Sequence, residues 1–185
     1  RVWNGARPLV SMTFYATHPQ SYSGQGGVSA DFVGLARAMR EEALPEIAHV
    51  HFNGAGGNVA AGKYNNGTPE RRPILAQRLA EGMKRAWEET KKVPIGATDV
   101  AWEVEPVALP LRDMYQNDEN LLASIRSEGV PMRYRLAAAY RLAFARRIKA
   151  GHQIDIGCLH LGEARVVFMP GELFVEYQLA AQEMR

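Results

Sequence analysis

Apolar positions cluster along the chain in runs of two kinds, and the spacing within each run decides the element it predicts. Residues 9–17, LVSMTFYAT, are apolar enough to read as a strand buried on both faces. The turn dipeptide Asn4-Gly5 precedes that strand, and His18-Pro19 closes it, so an imidazole is presented at its rim. A glycine loop, Gly24, Gln25, Gly26 and Gly27, follows. Ser29 then caps a predicted helix whose apolar positions Phe32, Val33, Leu35, Ala36, Met39 and Ala43 recur at helical spacing until Leu44-Pro45. Residues 47–53, IAHVHFN, form the next strand, and the intervening helix makes a parallel crossover the natural connection.

The segment 53–62, NGAGGNVAAG, is a second glycine-rich loop. It does not fit a dinucleotide fingerprint, because Val59 stands where a third small residue belongs and no Lys-Ser/Thr pair follows. The glycines serve either close approach of the backbone to a ligand or neighbouring segment, or simply a turn needing positive φ. Thr68-Pro69 begins a helix, delayed by Pro73, with Ile74, Leu75, Leu79, Met83, Ala86 and Trp87 as its apolar stripe. Arg71, Arg72, Arg78, Lys84, Arg85, Lys91 and Lys92 lie mostly off that stripe and read as a solvated face.

Within 97–111, Val100, Trp102 and Val104 alternate with Ala101, Glu103 and Glu105, the pattern of a strand with one exposed face. Two helical segments, 118–127 and 132–149, flank Gly129-Val130-Pro131 and suit either a helical insertion over about 117–150 or a simple hairpin. Strands at 152–161 and 164–169 surround the tight Gly162-Glu163 turn, and Glu172 is delivered where the second runs on into a helix at 173–184. The order predicts the α/β class: a mixed sheet flanked by helices in one domain, or the C-terminal part of one, with no internal repeat.

Composition narrows the function classes. Twenty-two basic against twenty acidic residues give a net charge of +2, and no basic stripe interleaves with aromatics, which argues against a nucleic-acid partner. The single Cys158 lies in an apolar run, reads as core, and cannot form an internal disulfide. No apolar stretch approaches the roughly 18 residues of a transmembrane segment, and no signal-peptide pattern opens the chain, whose first residue is Arg1. Serine catalysis has no G-x-S-x-G elbow, and Ser11, Ser21, Ser23 and Ser29 sit in no sharp strand-to-helix turn. Cys158, in mid-strand, is no better placed as a nucleophile.

Three strand ends carry polar residues beside glycine or proline: His18, the 53–58 loop and Glu172. Such ends converge on a crevice in α/β sheets, where an imidazole and a carboxylate are common zinc ligands. Glu172 serves equally as a carboxylate interacting with a helix dipole. His18 alone, from its position, reads as a hydrogen-bonded edge histidine rather than a ligand. His49 and His51 share one strand face as a further His-x-His pair, either ligands or part of a partly buried strand.

At these residues the sequence resembles a known family. Phe14-Tyr15-Ala16-Thr17-His18-Pro19-Gln20-Ser21-Tyr22, then Ser29-Ala30-Asp31-Phe32-Val33-Gly34, Gly57-Asn58-Val59 and Pro170-Gly171-Glu172 look like ordered motifs of the neutral/alkaline, non-lysosomal ceramidases, in their N-terminal catalytic domain. Within that family the chain is most similar to ceramidase-like proteins of planctomycete bacteria. The resemblance implies a neutral-ceramidase-like catalytic domain, incomplete in this chain, in which His18 and Glu172 ligate a catalytic Zn2+. A water on that zinc would hydrolyse the amide of an N-acyl sphingoid or related lipid, and Gly56, Gly57 and Tyr22 would bind this lipid-like amide substrate. It implies, too, that Asn58 and Ala60 occupy catalytic positions, where the family has aspartate and serine.

The family's other metal histidine and a tyrosine ligand have no counterpart here. The resemblance therefore implies a site completed by a missing segment or a second chain, with His49 and His51 as less favoured substitutes. The alternative it leaves open is an inactive ceramidase-like domain retained as a binding or structural subunit. By the same resemblance the expected location is secreted or periplasmic.

Overall fold

A computed structural model describes residues 1–22, 24 and 27–184; Ser23, and Gln25 and Gly26 of the predicted glycine loop, lie outside the described residues. The chain is of mixed α and β structure and divides into two compact units, one of Arg1–Pro94 with Gly171–Arg185 and the other of Ile95–Pro170. In place of a single mixed sheet there are two three-stranded sheets, one in each unit.

In the first unit β1 (Val2–Asn4) turns at Gly5, whose φ of 58° is the left-handed conformation glycine tolerates, and pairs antiparallel with β2 (Arg7–Tyr15). After α1 (Asp31–Ala43), β3 (Ala48–Asn53) returns parallel to β2, in register from Val10 opposite Ala48 to Tyr15 opposite Asn53. The parallel crossover expected from the sequence is therefore present. A short 3-10 turn (Gly62–Tyr64) leads to α2 (Arg71–Glu89), which starts two residues after Pro69 with Pro73 in its first turn. The unit closes with α5 (Val175–Glu183).

Its apolar core lies between helices. Phe32, Val33 and Ala36 of α1 pack with Leu75, Ala76, Ala80 and Met83 of α2, all nearly inaccessible to solvent. Part of the spacing that predicted the two helices is the stripe they bury against each other, while Leu35, Met39 and Ile74 of that pattern stay exposed. β2, expected to be buried on both faces, is half exposed, with Phe14 at 49% and Tyr15 at 43%. The reason is that α1 and α2 spend their apolar stripes on one another, leaving a narrow sheet partly uncovered. Ser29 accepts a hydrogen bond from the Asp31 amide at 3.2 Å, but the capping position itself is Ala30.

In the second unit β4 (Val100–Val107) pairs antiparallel with β5 (Ile154–Leu161) along its whole length, and β5 turns through Gly162, at φ 60°, into β6 (Ala164–Phe168). The predicted hairpin is thus present. β4 is nonetheless open on both faces, with Val100, Trp102 and Val104 all exposed. The helices α3 (Asp118–Arg126) and α4 (Met132–Lys149) of this unit bury Leu121, Ala138 and Leu142 against each other instead of covering that face. Cys158, expected in the core, is only partly buried, beside Glu103 on β4 and Val167 on β6. No helix among the described residues is long and apolar enough to cross a membrane.

Candidate metal and ligand site at the His18 turn

β2 and β3 run parallel and end together, so the two loops that leave them start side by side. The Tyr15 carbonyl ties both down, accepting from the amides of Thr17 at 3.0 Å and Gly54 at 3.1 Å. The glycine loop then folds back along the His18 turn. The His18 amide donates to Val59 O at 2.8 Å, and a parallel bridge joins His18 to Ala60.

This backbone pairing fixes the imidazole. His18 Nδ1 lies 2.7 Å from the carbonyl oxygen of Gly56 and 3.2 Å from that of Val59. A carbonyl only accepts, so Nδ1 carries the proton and Nε2 keeps its lone pair in the neutral ring. Nε2 faces the Glu172 carboxylate, with Oε2 at 3.6 Å. The imidazole is a quarter exposed, whereas the carboxylate is largely in solvent.

The glycines of the loop serve close approach. Gly54, Gly56 and Gly57 all lie outside the left-handed region, so the positive-φ reading does not hold for them. A Cβ on Gly56 would lie 2.8 Å from the Thr17 amide nitrogen, and one on Gly57 would lie 2.5 Å from the Glu172 carbonyl oxygen. Without side chains at these positions, the Gly57 amide reaches Leu173 O at 2.7 Å and holds the segment bearing Glu172 against the loop. The three segments whose ends suggested a crevice are therefore brought together within the first unit.

The remaining candidates take different places. Asn58 uses both ends of its amide on α5: Oδ1 accepts from the Val175 amide at 2.9 Å and Nδ2 donates to Glu176 Oε2 at 2.8 Å. It thereby serves the start of α5, the role the sequence left open for Glu172. Ala60 is exposed and offers only a methyl group beside His18. Tyr22 is half buried and lies under the Arg72 guanidinium, 3.9 Å from the ring centre.

That arginine belongs to a network absent from the sequence reading. The Asp31 carboxylate accepts from the amide and hydroxyl of Ser21, from the Phe32 amide at 2.6 Å and from Arg72 at 3.4 Å. Arg72 also donates to the Ser21 hydroxyl at 3.1 Å. Ser21 is 1% exposed. The network pins the chain three residues beyond His18 to the starts of both α1 and α2. The signal available in sequence was Asp31 itself, a residue type that tolerates the φ of 51° it adopts.

The donor set suits zinc as far as it goes. Two ligand atoms each about 2.1 Å from a tetrahedral ion stand about 3.4 Å apart, close to the observed Nε2 to Oε2 separation. The carbonyl on Nδ1 is the outer partner that metal-binding histidines commonly have. His49 and His51 do not join this pair. Their register opposite Ser11 and Thr13 sets them back along the sheet, His49 Nε2 facing Leu44 O at 3.4 Å and His51 Nδ1 lying 2.9 Å from the Thr13 hydroxyl. Among the described residues no group of three or more His, Cys, Asp or Glu side chains is placed to hold a metal ion. Comparison of the chain with family models, with curated proteins and with solved structures finds no match.

Proposed function

We propose that the chain is the metal-binding part of a zinc-dependent amidohydrolase resembling neutral ceramidase, acting on the amide of an N-acyl sphingoid or related lipid. The observation that carries this reading is the orientation of the His18 ring. Its Nδ1 is held by the Gly56 carbonyl at 2.7 Å, and its Nε2 faces, at 3.6 Å, a carboxylate that has no other partner among the described residues.

In this proposal His18 Nε2 and Glu172 Oε2 are the two protein donors. The 54–58 loop holds them in place, through the Gly56 carbonyl on one and the Gly57 amide beside the other. A zinc ion held there supplies Lewis acidity, which brings the pKa of a water near 7 and polarises an amide carbonyl. Hydrolysis of the amide by such a site would give a fatty acid and a free amine. Two donors are half of a four-coordinate site, and further ligands come from another segment or a second chain.

A second reading has its own support. The exposed Ala60 methyl stands where the resemblance places a serine, and the Asn58 amide is saturated by Val175 and Glu176. Both favour a ceramidase-like domain kept for binding or structural purposes. Zinc content and competition with a chromophoric chelator, measured on the protein and on His18→Ala and Glu172→Gln, test the metal reading. Expected are bound zinc and a loss of affinity of roughly tenfold or more in each variant. Zinc-free protein, or affinity indifferent to His18→Ala, overturns it. Bound zinc without release of fatty acid from N-acyl sphingosine, in protein whose zinc has its full ligand set, selects the binding reading.

A further inference from the structure

Beside the His18 turn the first unit carries a second feature, independent of the metal reading. A pocket of about 230 Å³ opens between the 62–66 segment and the start of α2, lined in part by Lys63, Tyr64, Asn66, Arg71, Ile74 and Arg78. The sequence assigned Arg71 and Arg78 to a solvated helix face. Seven residues apart on one helix, they lie on the same side, and the 3-10 turn brings Lys63 and Tyr64 against them. Three cations thus line one concavity, and no lining residue is acidic.

Such a concentration of like charge is unfavourable unless something compensates it. Arg72, the neighbour of Arg71, has Asp31 as its counter-ion. Arg71, Arg78 and Lys63 have no ion pair among the described residues. Glu70, the nearest acid in sequence, is not among the residues that line the pocket and makes no ion pair among the described residues.

Tyr64 orders two of the cations in this open, solvent-facing concavity. Arg78 lies over the Tyr64 ring at 3.9 Å and Lys63 is 5.3 Å from the same ring centre. A stacked guanidinium has its plane set by the ring and its N–H fork left free for an oxyanion. The Asn65 amide anchors the loop by donating to Ser21 O at 2.7 Å, and Asn66 Oδ1 accepts from the Thr68 amide and hydroxyl. Ile74, 44% exposed, offers an apolar wall. The volume is below the roughly 300–1,000 Å³ typical of sites that enclose a drug-sized ligand. A headgroup fits that size, and three cations match a phosphate dianion better than a single carboxylate.

We propose that this pocket binds the phosphate group of a phosphate ester, with Arg71, Arg78 and Lys63 as its cationic partners and Ile74 against the organic part. The full chain is titrated calorimetrically at low salt with inorganic phosphate, with glycerol 3-phosphate, and with phosphatidylcholine vesicles lacking or carrying phosphatidic acid. Saturable binding of a phosphate-bearing probe is expected, weakened about tenfold by Arg71→Gln and by Arg78→Gln. Arg85→Gln, on the same helix but outside the pocket, leaves it unchanged. Binding of soluble glycerol 3-phosphate assigns a free ester, whereas capture by phosphatidic acid vesicles alone, lost in the same two variants, assigns a lipid headgroup.

No saturable binding to any probe overturns the proposal, as does an equal loss in Arg85→Gln, which would show only the general charge of the helix. Circular dichroism confirms that each variant is folded, and Lys63→Gln, outside α2, repeats the test where a helix substitution perturbs the fold. Zinc content measured on the same samples stays unchanged, so failure here is distinct from failure of the metal reading.

Discussion

A methyl group placed on Gly57 would lie 2.5 Å from the carbonyl oxygen of Glu172. That separation is too short for any real contact, and the obstacle is backbone, so the segment bearing Glu172 must retreat. Gly57→Ala is expected to destabilise the protein by about 1–3 kcal/mol, as other overpacking substitutions do, and to lower zinc affinity by moving the carboxylate away from His18. Gly62→Ala is the matched control, because a Cβ there meets nothing within 4 Å. Its unfolding free energy from chemical denaturation should be within about 0.5 kcal/mol of the parent. Equal effects of the two substitutions would remove close approach as the reason for glycine at position 57.

Asp31 is the second point where one side chain holds several segments. Its carboxylate is 10% exposed and accepts from Ser21, Phe32 and Arg72. Asp31→Ala strands an arginine and two amides at once, and should cost roughly 2–4 kcal/mol. Arg72→Gln is expected to cost less, about 1–2 kcal/mol, since the carboxylate retains the amides and the Ser21 hydroxyl. A double-mutant cycle measured by chemical denaturation should give a coupling above about 0.5 kcal/mol; simple additivity would show that the pair at 3.4 Å contributes nothing of its own.

These two sites mark where the sequence was readable and where it was not. The α1 and α2 helices, the parallel return of β3 and the β5–β6 hairpin follow from local spacing and turn chemistry, and all appear. The meeting of His18, the glycine loop and Glu172 was suggested by their common position at strand ends. Burial was not legible, because periodicity names an apolar face without naming its partner. The helices chose each other, leaving Phe14 and Trp102 exposed. Contacts across long separations, such as Asn58 with Glu176 or Arg72 with Asp31, depend on the fold and leave no spacing to find. Arg71 and Arg78 are exposed, as a solvated face requires, and only the fold places Lys63 and Tyr64 of the 62–64 turn beside them.

His51 gives stability a pH dependence of defined sign. Burial, and to a lesser extent the nearby Arg37, lower its pKa from 6.5. Nε2 is buried without a partner among the described residues, so protonation leaves a charge unpaired. Above 6.5 the folded and unfolded states are both neutral here. As pH falls below that value the unfolded chain takes up the proton first, and stability declines until the folded value is passed. Denaturation midpoints measured from about pH 7.5 to about pH 5.5 should therefore fall more steeply in the parent than in His51→Gln. Arg37→Gln should lessen the decline. A profile unaltered by His51→Gln would assign the slope to other groups.

Asn58 offers a direct contrast between the residue present and the one the resembled family carries. Its Nδ2 donates to Glu176 Oε2 at 2.8 Å, so Asn58→Asp would set two carboxylates against each other where an amide now bridges. The Val175 amide still has its acceptor in that variant, and the change isolates the Glu176 contact. One of the two carboxyls then holds its proton to a higher pH than in the unfolded chain. The variant should be less stable than the parent by about 1 kcal/mol near neutrality, the contact being exposed, and should recover as pH falls through the raised value. Adding Glu176→Gln should restore stability near neutrality, since the glutamine amide can donate to the new carboxylate. A variant as stable as the parent at every pH would mean that Asn58 and α5 are not held by this bond, and that aspartate at this position is compatible with the loop as it stands.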